Sequence, residues 1–353
     1  MQHLVREKEL KSYCVSVFQT AGLLIDDAGV VAEMLVHGDL RGVYSHGVCR
    51  TMEYVKRLLQ DTATKTDSVR LISETPCTAV LDAGHALGAI ASEKAVRIAR
   101  EKAKKQGLAF VTVRNSNHYG MAAHWALKLA GEDMVGFSSS DSDPCLAPYG
   151  GASAYIGNNP FSYAVSGNKY KEICLDVACS MMAGGKKNRF IENGESLPSG
   201  CFLTADGEET TDPEKGVVAL PFGGHKGSGL SFVMEILTSA LGGGVFGPQM
   251  PGFMHLDQKN PTSHCFMAIN VEAFRGLEEF KNHVDTYIDY IKQCPLMDGA
   301  REILYPGELE WKNKVTYRES GIPLSGGVVQ ELITVGQMVG LNEEDYHFLV
   351  TED

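Results

Sequence analysis

The sequence predicts a mixed α/β protein, and three observations support this prediction. Segments with helical spacing of apolar residues alternate with short β-type runs along the 353 residues. Hydrophobic residues make up 44% of the chain, which is ample for buried cores in two or more domains. The sequence contains neither an internal repeat nor a low-complexity tract, which argues against a repeat array or a coiled coil.

The composition argues against several functional classes. Acidic residues outnumber basic ones by 44 to 32, and a net charge of −12 disfavours a surface that neutralises phosphate backbones. No apolar run approaches the roughly 18 residues that a membrane-spanning helix needs. The first residues are charged and polar, unlike a signal peptide. We therefore expect neither a nucleic-acid partner nor a membrane partner.

The cysteines predict free thiols. The nine cysteines are scattered, odd in number and without a CxxC pair. A disulfide scaffold and a zinc ribbon are therefore not expected, and we expect no bound metal. Unpaired thiols are typical of a reducing cytoplasm.

The first fifty residues predict two helices. Their apolar stripes contain Leu10, Val17, Phe18 and Ala21 in the first, and Val30, Val31, Met34 and Leu35 in the second. Gly22 is the expected stop between them, and Asp26 or Asp27 is the expected N-cap of the second helix.

Strands and helices alternate along the rest of the chain. Strands are predicted at residues 78–82, 108–113, 135–139, 162–165 and 173–176. Helices are predicted at residues 88–106, 229–240 and 273–290. Gly107 is the expected end of the first of these helices. Residues 188–216, rich in glycine and polar side chains, predict an exposed excursion, and a second break surrounds residues 242–252.

Residues 41–50 form the first polar cluster that can carry chemistry. Arg41 and Arg50 flank Ser45 and His46 in this segment. A guanidinium group binds a carboxylate through a planar fork, and an imidazole supplies a donor or moves a proton. The alternative is the end of a helix, where basic side chains complement the helix dipole.

Two further clusters follow predicted strands. His118 comes after the strand at residues 108–113, between asparagines that can orient a substrate oxygen, so it is a candidate general base. Asp143 follows a run of serines and can orient a catalytic histidine or hold a ribose hydroxyl. The alternatives are a structural histidine at a strand end and a turn-forming Ser/Asp cluster before proline.

Residues 221–229, PFGGHKGSG, precede a predicted helix and form the fourth cluster. Glycines let backbone N–H groups approach an anion, the helix N-terminus favours negative charge, and Lys226 adds a point charge. The segment is therefore a candidate phosphate cradle. It matches neither the Walker pattern nor the Rossmann GxGxxG pattern.

Taken together, these motifs resemble the type 2 malate/L-lactate dehydrogenase family, which also includes ureidoglycolate, sulfolactate and diketogulonate oxidoreductases. The matching blocks are RGVYSHGVCR (41–50), NSNHYG (115–120), SDP with PYGG (142–151), GNNPF (157–161), LDVACS (175–180), TTDP (210–213), PFGGHKGSGL (221–230) and LYPGE (304–308). They occur in the family order and span nearly the whole chain.

The resemblance implies an NAD(P)-dependent oxidoreductase that interconverts a small 2-hydroxy acid, a small-molecule carboxylate, and its 2-oxo acid. It implies a non-Rossmann, L-sulfolactate dehydrogenase-like α/β fold in which a mixed-sheet cofactor domain accompanies a helical domain built from both termini. The expected division is residues 1–118 with 300–353 as the helical, substrate-side domain and residues 119–299 as the NAD(P)-binding domain. The resemblance also implies a cytoplasmic homodimer.

The resemblance assigns roles to particular residues. It implies that His118 is the proton acceptor, with Asp143 as its orienting partner. The implied substrate-binding residues are Ser45, His46, Arg50 and Tyr54. The implied cofactor-binding residues are Ser142, Asp176, Val177, Ala178, Lys226, Gly307, Glu308 and Leu309.

Substrate and cofactor identity stay open at this stage. Many malate-type members carry Arg before the Gly-Lys pair that here is Gly185 and Lys186, and this chain has Gly184 instead. Malate, lactate and ureidoglycolate types therefore all remain, as do a reductase of cyclic imines or diketo sugar acids and a noncatalytic dinucleotide-binding homologue. We expect NAD, because Glu308 and Glu310 would repel the additional phosphate of NADP. Lys312 and Lys314 would favour NADP.

Overall fold

A seven-stranded sheet lies at the centre of the computed structural model, which describes residues 2–182 and 184–350. In chain order, the strands are β1 (Gln2–Val5), β2 (Arg70–Glu74), β3 (Thr78–Asp82), β4 (Leu108–Ser116), β5 (Met134–Ser140), β6 (Pro144–Leu146), β7 (Ile156–Gly157), β8 (Phe161–Val165), β9 (Ile173–Val177), β10 (Phe202–Leu203), β11 (Glu209–Thr210), β12 (Val218–Ala219), β13 (Thr262–Asn270) and β14 (Ile322–Ser325). The main sheet has the order β2-β3-β4-β13-β5-β8-β9. Its β3–β4 pair is parallel and its other pairs are antiparallel, so the sheet is mixed.

Two smaller sheets complete the β-structure. The five short strands β11-β10-β12-β6-β7 form one of them, and β1 pairs with β14 in the other. The β1–β14 pair is antiparallel and joins the N-terminal segment to residues near the C-terminus.

Helices pack around the main sheet. They are α1 (Glu7–Thr20), α2 (Ile25–Leu40), α3 (Thr51–Leu59), α4 (Gly88–Gln106), α5 (Ala122–Ala130), α6 (Gly184–Asn193), α7 (His225–Glu235), α8 (Leu277–Lys292), α9 (Glu308–Ser320), α10 (Gly326–Val339) and α11 (Glu343–Tyr346). A π-helical turn, Ile236–Ala240, extends α7. Helix α4 packs on β4 and β13, whereas α5 packs on β5 and β8. In the part of the chain that the structure describes, no helix is long and apolar enough to cross a membrane.

Much of the predicted secondary structure is confirmed. Residues 78–82 and 88–106 form β3 and α4, and Gly107 ends α4 with a φ of 86°. The strands predicted at 108–113, 135–139, 162–165 and 173–176 lie within β4, β5, β8 and β9. The two N-terminal helices are α1 and α2.

Other predictions were wrong in detail. Leu24, not Asp26 or Asp27, is the N-cap of α2, and both aspartates lie in its first turn, where they complement the dipole. The helix predicted at 229–240 begins earlier, at His225, and the one predicted at 273–290 is Leu277–Lys292. The excursion at 188–216 contains part of α6 and the short strands β10 and β11.

The central strand β13 was not predicted. Its residues are buried on both faces over much of its length, so the sequence shows no polar alternation. Strand β13 pairs with β4 on one side and β5 on the other. The main sheet therefore contains strands from both sides of residue 118 in the chain. The predicted division into two domains at that residue stays a prediction.

Gly88, the first residue of α4, allows this helix to approach the end of β4. A Cβ added at Gly88 would overlap the carbonyl oxygens of Asn117 and His118. Both obstacles are backbone atoms, which cannot move aside without displacing the residues that follow β4. The sequence of α4 therefore begins with glycine for a steric reason.

We predict that Gly88→Ala lowers the free energy of unfolding by about 1–3 kcal/mol, because the added methyl overpacks the junction with Asn117. Gly29→Ala in α2 is the matched control, since no atom lies within 4 Å of its added Cβ. This control should be stabilised by about 0.5–1 kcal/mol. Urea unfolding measures both values, and equal responses of the two variants would contradict the steric argument.

Candidate active site

The backbone on either side of His118 is held by buried hydrogen bonds. The Asn117 side-chain amide donates to the carbonyls of His85 and Ala86 at 3.0 Å each. His264 on β13 is fully buried, and its Nε2 lies 2.9 Å from Ser116 Oγ and 3.1 Å from Asn117 O. These contacts fix the chain where it leaves β4, so His118 has a defined position.

The His118 ring is oriented by Tyr54 of α3. Tyr54 OH lies 2.7 Å from His118 Nδ1, and Tyr54 is itself buried. The tautomer that carries its proton on Nδ1 donates to Tyr54 and presents the Nε2 lone pair, whereas in the other tautomer Nδ1 accepts from the Gly120 N–H, which lies 3.4 Å away. Within the described residues Nε2 has no hydrogen-bond partner. This ring nitrogen is therefore free to exchange a proton with a bound molecule.

Both imidazoles of the site are held neutral. Burial, then His46, Arg50, His264 and Arg57 in order of effect, places the pKa of His118 well below its ordinary value. Burial, followed by Arg50, lowers the pKa of His46 to about 4. The two rings stack with centroids 5.4 Å apart. Near neutral pH, His118 therefore has the lone pair that a general base needs.

Ser45, His46 and Arg50 come together beside this ring. They lie in two short 3-10 turns that follow α2, Tyr44–His46 and Val48–Arg50. Ser45 Oγ lies 2.9 Å from His46 Nδ1, and Arg50 Nε donates to the Ser45 carbonyl at 2.9 Å. Arg50 Nη1 donates to Glu53 at 3.1 Å, whereas Nη2 has no partner within the described residues. Arg50 thus keeps donors for a carboxylate.

The two arginines of the 41–50 segment separate. Arg41 is fully buried and forms an ion pair with Glu172, which also pairs with Lys314. The sequence grouped Arg41 with Arg50 as one cluster, and the structure corrects this interpretation. Arg41 directly follows the last residue of α2. The end of this helix therefore directs the side chains of Arg41 and Arg50 to different sides.

Asp143 lies near the site but is not the partner of the His118 ring in this structure. A Cβ built on Gly252 would lie 3.4 Å from Asp143 Oδ2. In the described part of the chain, no hydrogen bond joins Asp143 to His118, and Tyr54 holds Nδ1 instead. A catalytic role for Asp143 stays a prediction.

Sequence reasoning missed three residues that shape the site: Phe253, Arg57 and His264. The Phe253 ring lies 4.7 Å from the His118 ring and 5.5 Å from Arg50 Cζ. Phe253 stands in a proline- and glycine-containing loop, where no periodicity marks a buried contact. His264 belongs to the central strand whose pattern the sequence did not reveal. Arg57 resembles an ordinary charge in the last turn of a helix.

The predicted cofactor residues Asp176, Val177 and Ala178 lie at the end of β9. Asp176 Oδ2 accepts from the Ala123 N–H in the first turn of α5, at 3.2 Å. Desolvation by the surrounding protein raises the pKa of Asp176 to about 6. Part of the Asp176 side chain nevertheless contacts solvent. Gly307 lies against β9, and a Cβ there would be 2.9 Å from Cys174 N.

Glu308 and Leu309 differ in accessibility. The Glu308 carboxylate is largely buried, pairs with Lys292 at 2.7 Å and with Lys312 at 3.2 Å, and accepts from the Tyr305 N–H. These partners, after the opposing effect of burial, lower the pKa of Glu308. Leu309 is exposed. The expectation that Glu308 repels an additional phosphate loses its basis, since two lysines already balance its charge.

The glycine-rich segment forms the N-terminus of α7. The N-cap Gly224 offers no side chain, and the N–H groups of Lys226 and Gly227 donate to the carbonyls of Gly223 and Phe222, so within the described residues the His225 N–H is the amide of the first turn that stays available. Lys226 is exposed and has no ion pair within the described residues. Because the Phe222 N–H donates to the Cys179 carbonyl at 3.0 Å, this cradle lies next to the end of β9.

Ser142 is placed on the other side of the cradle. Its Oγ accepts from the Asn158 N–H at 2.8 Å, and its N–H donates to Asn159 at 3.0 Å. Tyr149 links this region to α7, since its N–H donates to Ser228 Oγ at 3.0 Å. A free amide at a helix N-terminus, an ammonium group and a hydroxyl are donors that bind a pyrophosphate. In residues 2–182 and 184–350, no group of three or more acidic, Cys or His side chains is arranged to hold a metal ion.

Comparison with known proteins identifies related chains. The sequence profile described as malate/L-lactate dehydrogenase matches residues 5–333. The L-sulfolactate dehydrogenase of Methanocaldococcus jannaschii is 36% identical over 345 residues, which cover 97% of this chain and 99% of the relative. The malate dehydrogenase of Pyrococcus abyssi is 36% identical over 348 residues, with 96% and 95% coverage. The ureidoglycolate dehydrogenase (NAD(+)) of Escherichia coli K12 is 29% identical over 315 residues, with 89% and 90% coverage.

The fold has a matching solved structure. The M. jannaschii sulfolactate dehydrogenase superposes with a TM-score of 0.91 at 35% identity, covering 98% of this chain and 99% of that one. This match confirms the fold class that the sequence resemblance implied.

We predict that His118 stays uncharged where an ordinary histidine, with a pKa near 6.5, already gains its proton. Its depressed pKa means that protonation begins only at lower pH. An NMR titration of the imidazole Cε1–H signals measures this, with the His118 signal assigned by its loss in His118→Gln. A midpoint for His118 at or above about pH 6.5 would contradict the description of the site.

Proposed function

The chain belongs to the malate/L-lactate dehydrogenase family, and we propose that its site transfers a hydride between a nicotinamide dinucleotide and a small 2-hydroxy acid or its 2-oxo acid. The observation that carries this proposal is the neutral His118, with a free Nε2, beside the partly unpaired guanidinium of Arg50. A hydroxyl and a carboxylate on one carbon are the groups that this pair can hold. The chain is thus a hydroxyacid dehydrogenase.

In this proposal, His118 and Arg50 divide the work on the substrate. Arg50 binds the carboxylate and fixes which face of the substrate carbon is presented. His118 Nε2 accepts the hydroxyl proton during oxidation and returns it during reduction, while Tyr54 holds the opposite ring nitrogen. Ser45 and His46 border the same space. The nicotinamide, when bound, supplies the hydride chemistry.

The dinucleotide fits along the end of β9 and the N-terminus of α7. We propose that Lys226, the His225 amide at the start of α7 and Ser142 hold the pyrophosphate. Asp176, Val177, Ala178 and residues 307–309 then border the adenosine half. Gly307 allows this segment to lie directly against β9.

We propose NAD rather than NADP as the cofactor. Asp176 supports this choice. Its carboxylate is partly exposed, and it interacts electrostatically with the negative charge of Glu310 and the positive charge of Arg41. A carboxylate accepts ribose hydroxyls and repels a phosphate at the same place. The name of the E. coli ureidoglycolate dehydrogenase, which specifies NAD(+), agrees with this choice.

We propose that the protein is a homodimer of the cytoplasm. Helix α7, its π-helical extension and the turn that follows expose large apolar side chains: Phe232, Val233, Ile236, Leu241 and Phe246. A contiguous apolar surface of this kind marks an association site, and a second copy of the chain is the simplest partner. The nine cysteines are all unpaired, which suits a reducing compartment.

We predict that His118→Gln lowers turnover by about 100- to 10,000-fold, because glutamine cannot accept the hydroxyl proton. Binding of the reduced dinucleotide should be nearly unchanged. Steady-state turnover with a panel of 2-oxo acids, followed by nicotinamide absorbance, and fluorescence titration of the cofactor measure both quantities. His283→Gln, at an exposed position of α8, is the control. Near wild-type turnover of the His118 variant would remove this residue from the mechanism.

We predict a higher kcat/KM for NADH than for NADPH at equal concentrations of 2-oxo acid. Asp176→Asn keeps the shape of the side chain but removes its charge, so the preference for NADH should fall by about tenfold, which corresponds to roughly 1.4 kcal/mol. Kinetics with both cofactors, for the wild type and for this variant, measure the change. A wild-type preference for NADPH would overturn the proposed choice of cofactor.

A further inference from the structure

We propose that Phe253 makes the site selective for substrates with one carboxylate and an apolar side chain. This inference rests on the proposed function, and it concerns the part of the substrate that the hydride-transfer chemistry leaves unassigned. The proposed selectivity excludes substrates that carry a second carboxylate or a sulfonate next to the reacting carbon.

The first argument is the position of the Phe253 ring. Its centroid lies 4.7 Å from the His118 ring and 5.5 Å from Arg50 Cζ, so it touches both groups that would hold the substrate. The reacting carbon has four substituents. The hydroxyl faces His118, the carboxylate faces Arg50 and the hydrogen faces the nicotinamide. The ring that borders His118 and Arg50 therefore meets the fourth substituent, the side chain.

The second argument is that Phe253 is fixed in place. Buried Arg57 donates to the carbonyls of Phe253, His255 and Gln258, and its Cζ lies 5.6 Å from the Phe253 ring. Thr62 Oγ1 donates to the Leu256 carbonyl at 2.9 Å. Four carbonyls within residues 253–258 of the loop thus accept hydrogen bonds from α3 and the turn after it. Because these hydrogen bonds hold the Phe253 ring in place, the ring does not move aside, and it selects substrates by their shape and polarity.

The third argument is the charge around the ring. Arg50 is already paired with Glu53 at 3.1 Å, and the Arg57 donors named above are directed at backbone carbonyls. Asp143 lies against Gly252, one residue before Phe253. The two imidazoles add no positive charge near neutral pH. One substrate carboxylate satisfies Arg50, whereas a second anion would meet an aromatic face and a nearby carboxylate, both of which repel it.

The test compares two 2-oxo acids of nearly equal shape. In 4-methyl-2-oxopentanoate an isopropyl group occupies the place of the second carboxylate of oxaloacetate. The wild type should show a kcat/KM at least about tenfold higher for 4-methyl-2-oxopentanoate. A wild-type preference for oxaloacetate would overturn the inference and point to the start of α6, where a Cβ on Gly185 would lie 3.3 Å from Ser45 Cβ.

Two variants of similar size separate polarity from packing. Phe253→Leu keeps an apolar wall and should retain most of the preference, whereas Phe253→Asn should reduce it by about tenfold. Met254→Asn, at the exposed next position, is the control and should keep the wild-type ratio. Thermal unfolding midpoints identify any variant that is not folded, and the wild-type ratio remains decisive in that case.

The failures can be told apart. If the wild type reduces neither acid but reduces other members of the 2-oxo acid panel, the inference alone is overturned, and if it reduces no member with either dinucleotide, the proposed function is overturned as well. If both acids are reduced and Phe253→Asn changes both values of kcat/KM by the same factor, the inference alone is overturned. In that case Phe253 supports the loop without selecting the substrate.

Discussion

The buried hydrogen bonds that hold the chain at the end of β4 are the constraint on which the site depends. His264 reaches this point from β13, α4 approaches it through Gly88, and the Asn117 amide ties it to the segment before α4. Because β13 lies between β4 and β5, the same strand also positions Ser140, whose Oγ lies 3.0 Å from His264 Nδ1. One buried imidazole therefore braces the ends of both β4 and β5.

Burial also sets the chemistry. The His118 imidazole is surrounded by rings and cations, so its neutral form is favoured and its lone pair is available without a neighbouring carboxylate. In many sites an acidic residue holds the other ring nitrogen, and here a tyrosine hydroxyl does so. A hydroxyl orients the ring but does not stabilise the charged form as a carboxylate would. This arrangement keeps the imidazole weakly basic and the ring fixed.

The sequence revealed the parts of the fold whose signals are local. Helix α4 was predicted to the residue because its helix-forming composition ends at a glycine, and His118 was identified because polar residues follow a buried strand. Strand β13 was missed because it is buried on both faces, and Phe253 because its contacts depend on a loop folded back by Arg57. The ion pairs of Arg41 and Glu308 were not predicted for a related reason. Glu172, the partner of Arg41, is far away in the sequence, and Lys292, the partner of Glu308, lies outside the predicted helices. Charge alone therefore did not show which side Arg41 and Glu308 face.

The selectivity of the site depends on which of its charged side chains already have partners within the fold. Arg41, Lys292 and Lys312 balance carboxylates within the fold, Arg57 supports a loop, and Lys226 stands at the cradle of α7. Among the cations that border the His118 ring, Arg50 keeps Nη2 free within the described residues, whereas the unpartnered Nε of Arg57 is buried. A pocket with one such donor group suits a single substrate carboxylate. Malate and sulfolactate, after which two of the relatives are named, carry a second anionic group, which here would lie beside the Phe253 ring and the Asp143 carboxylate.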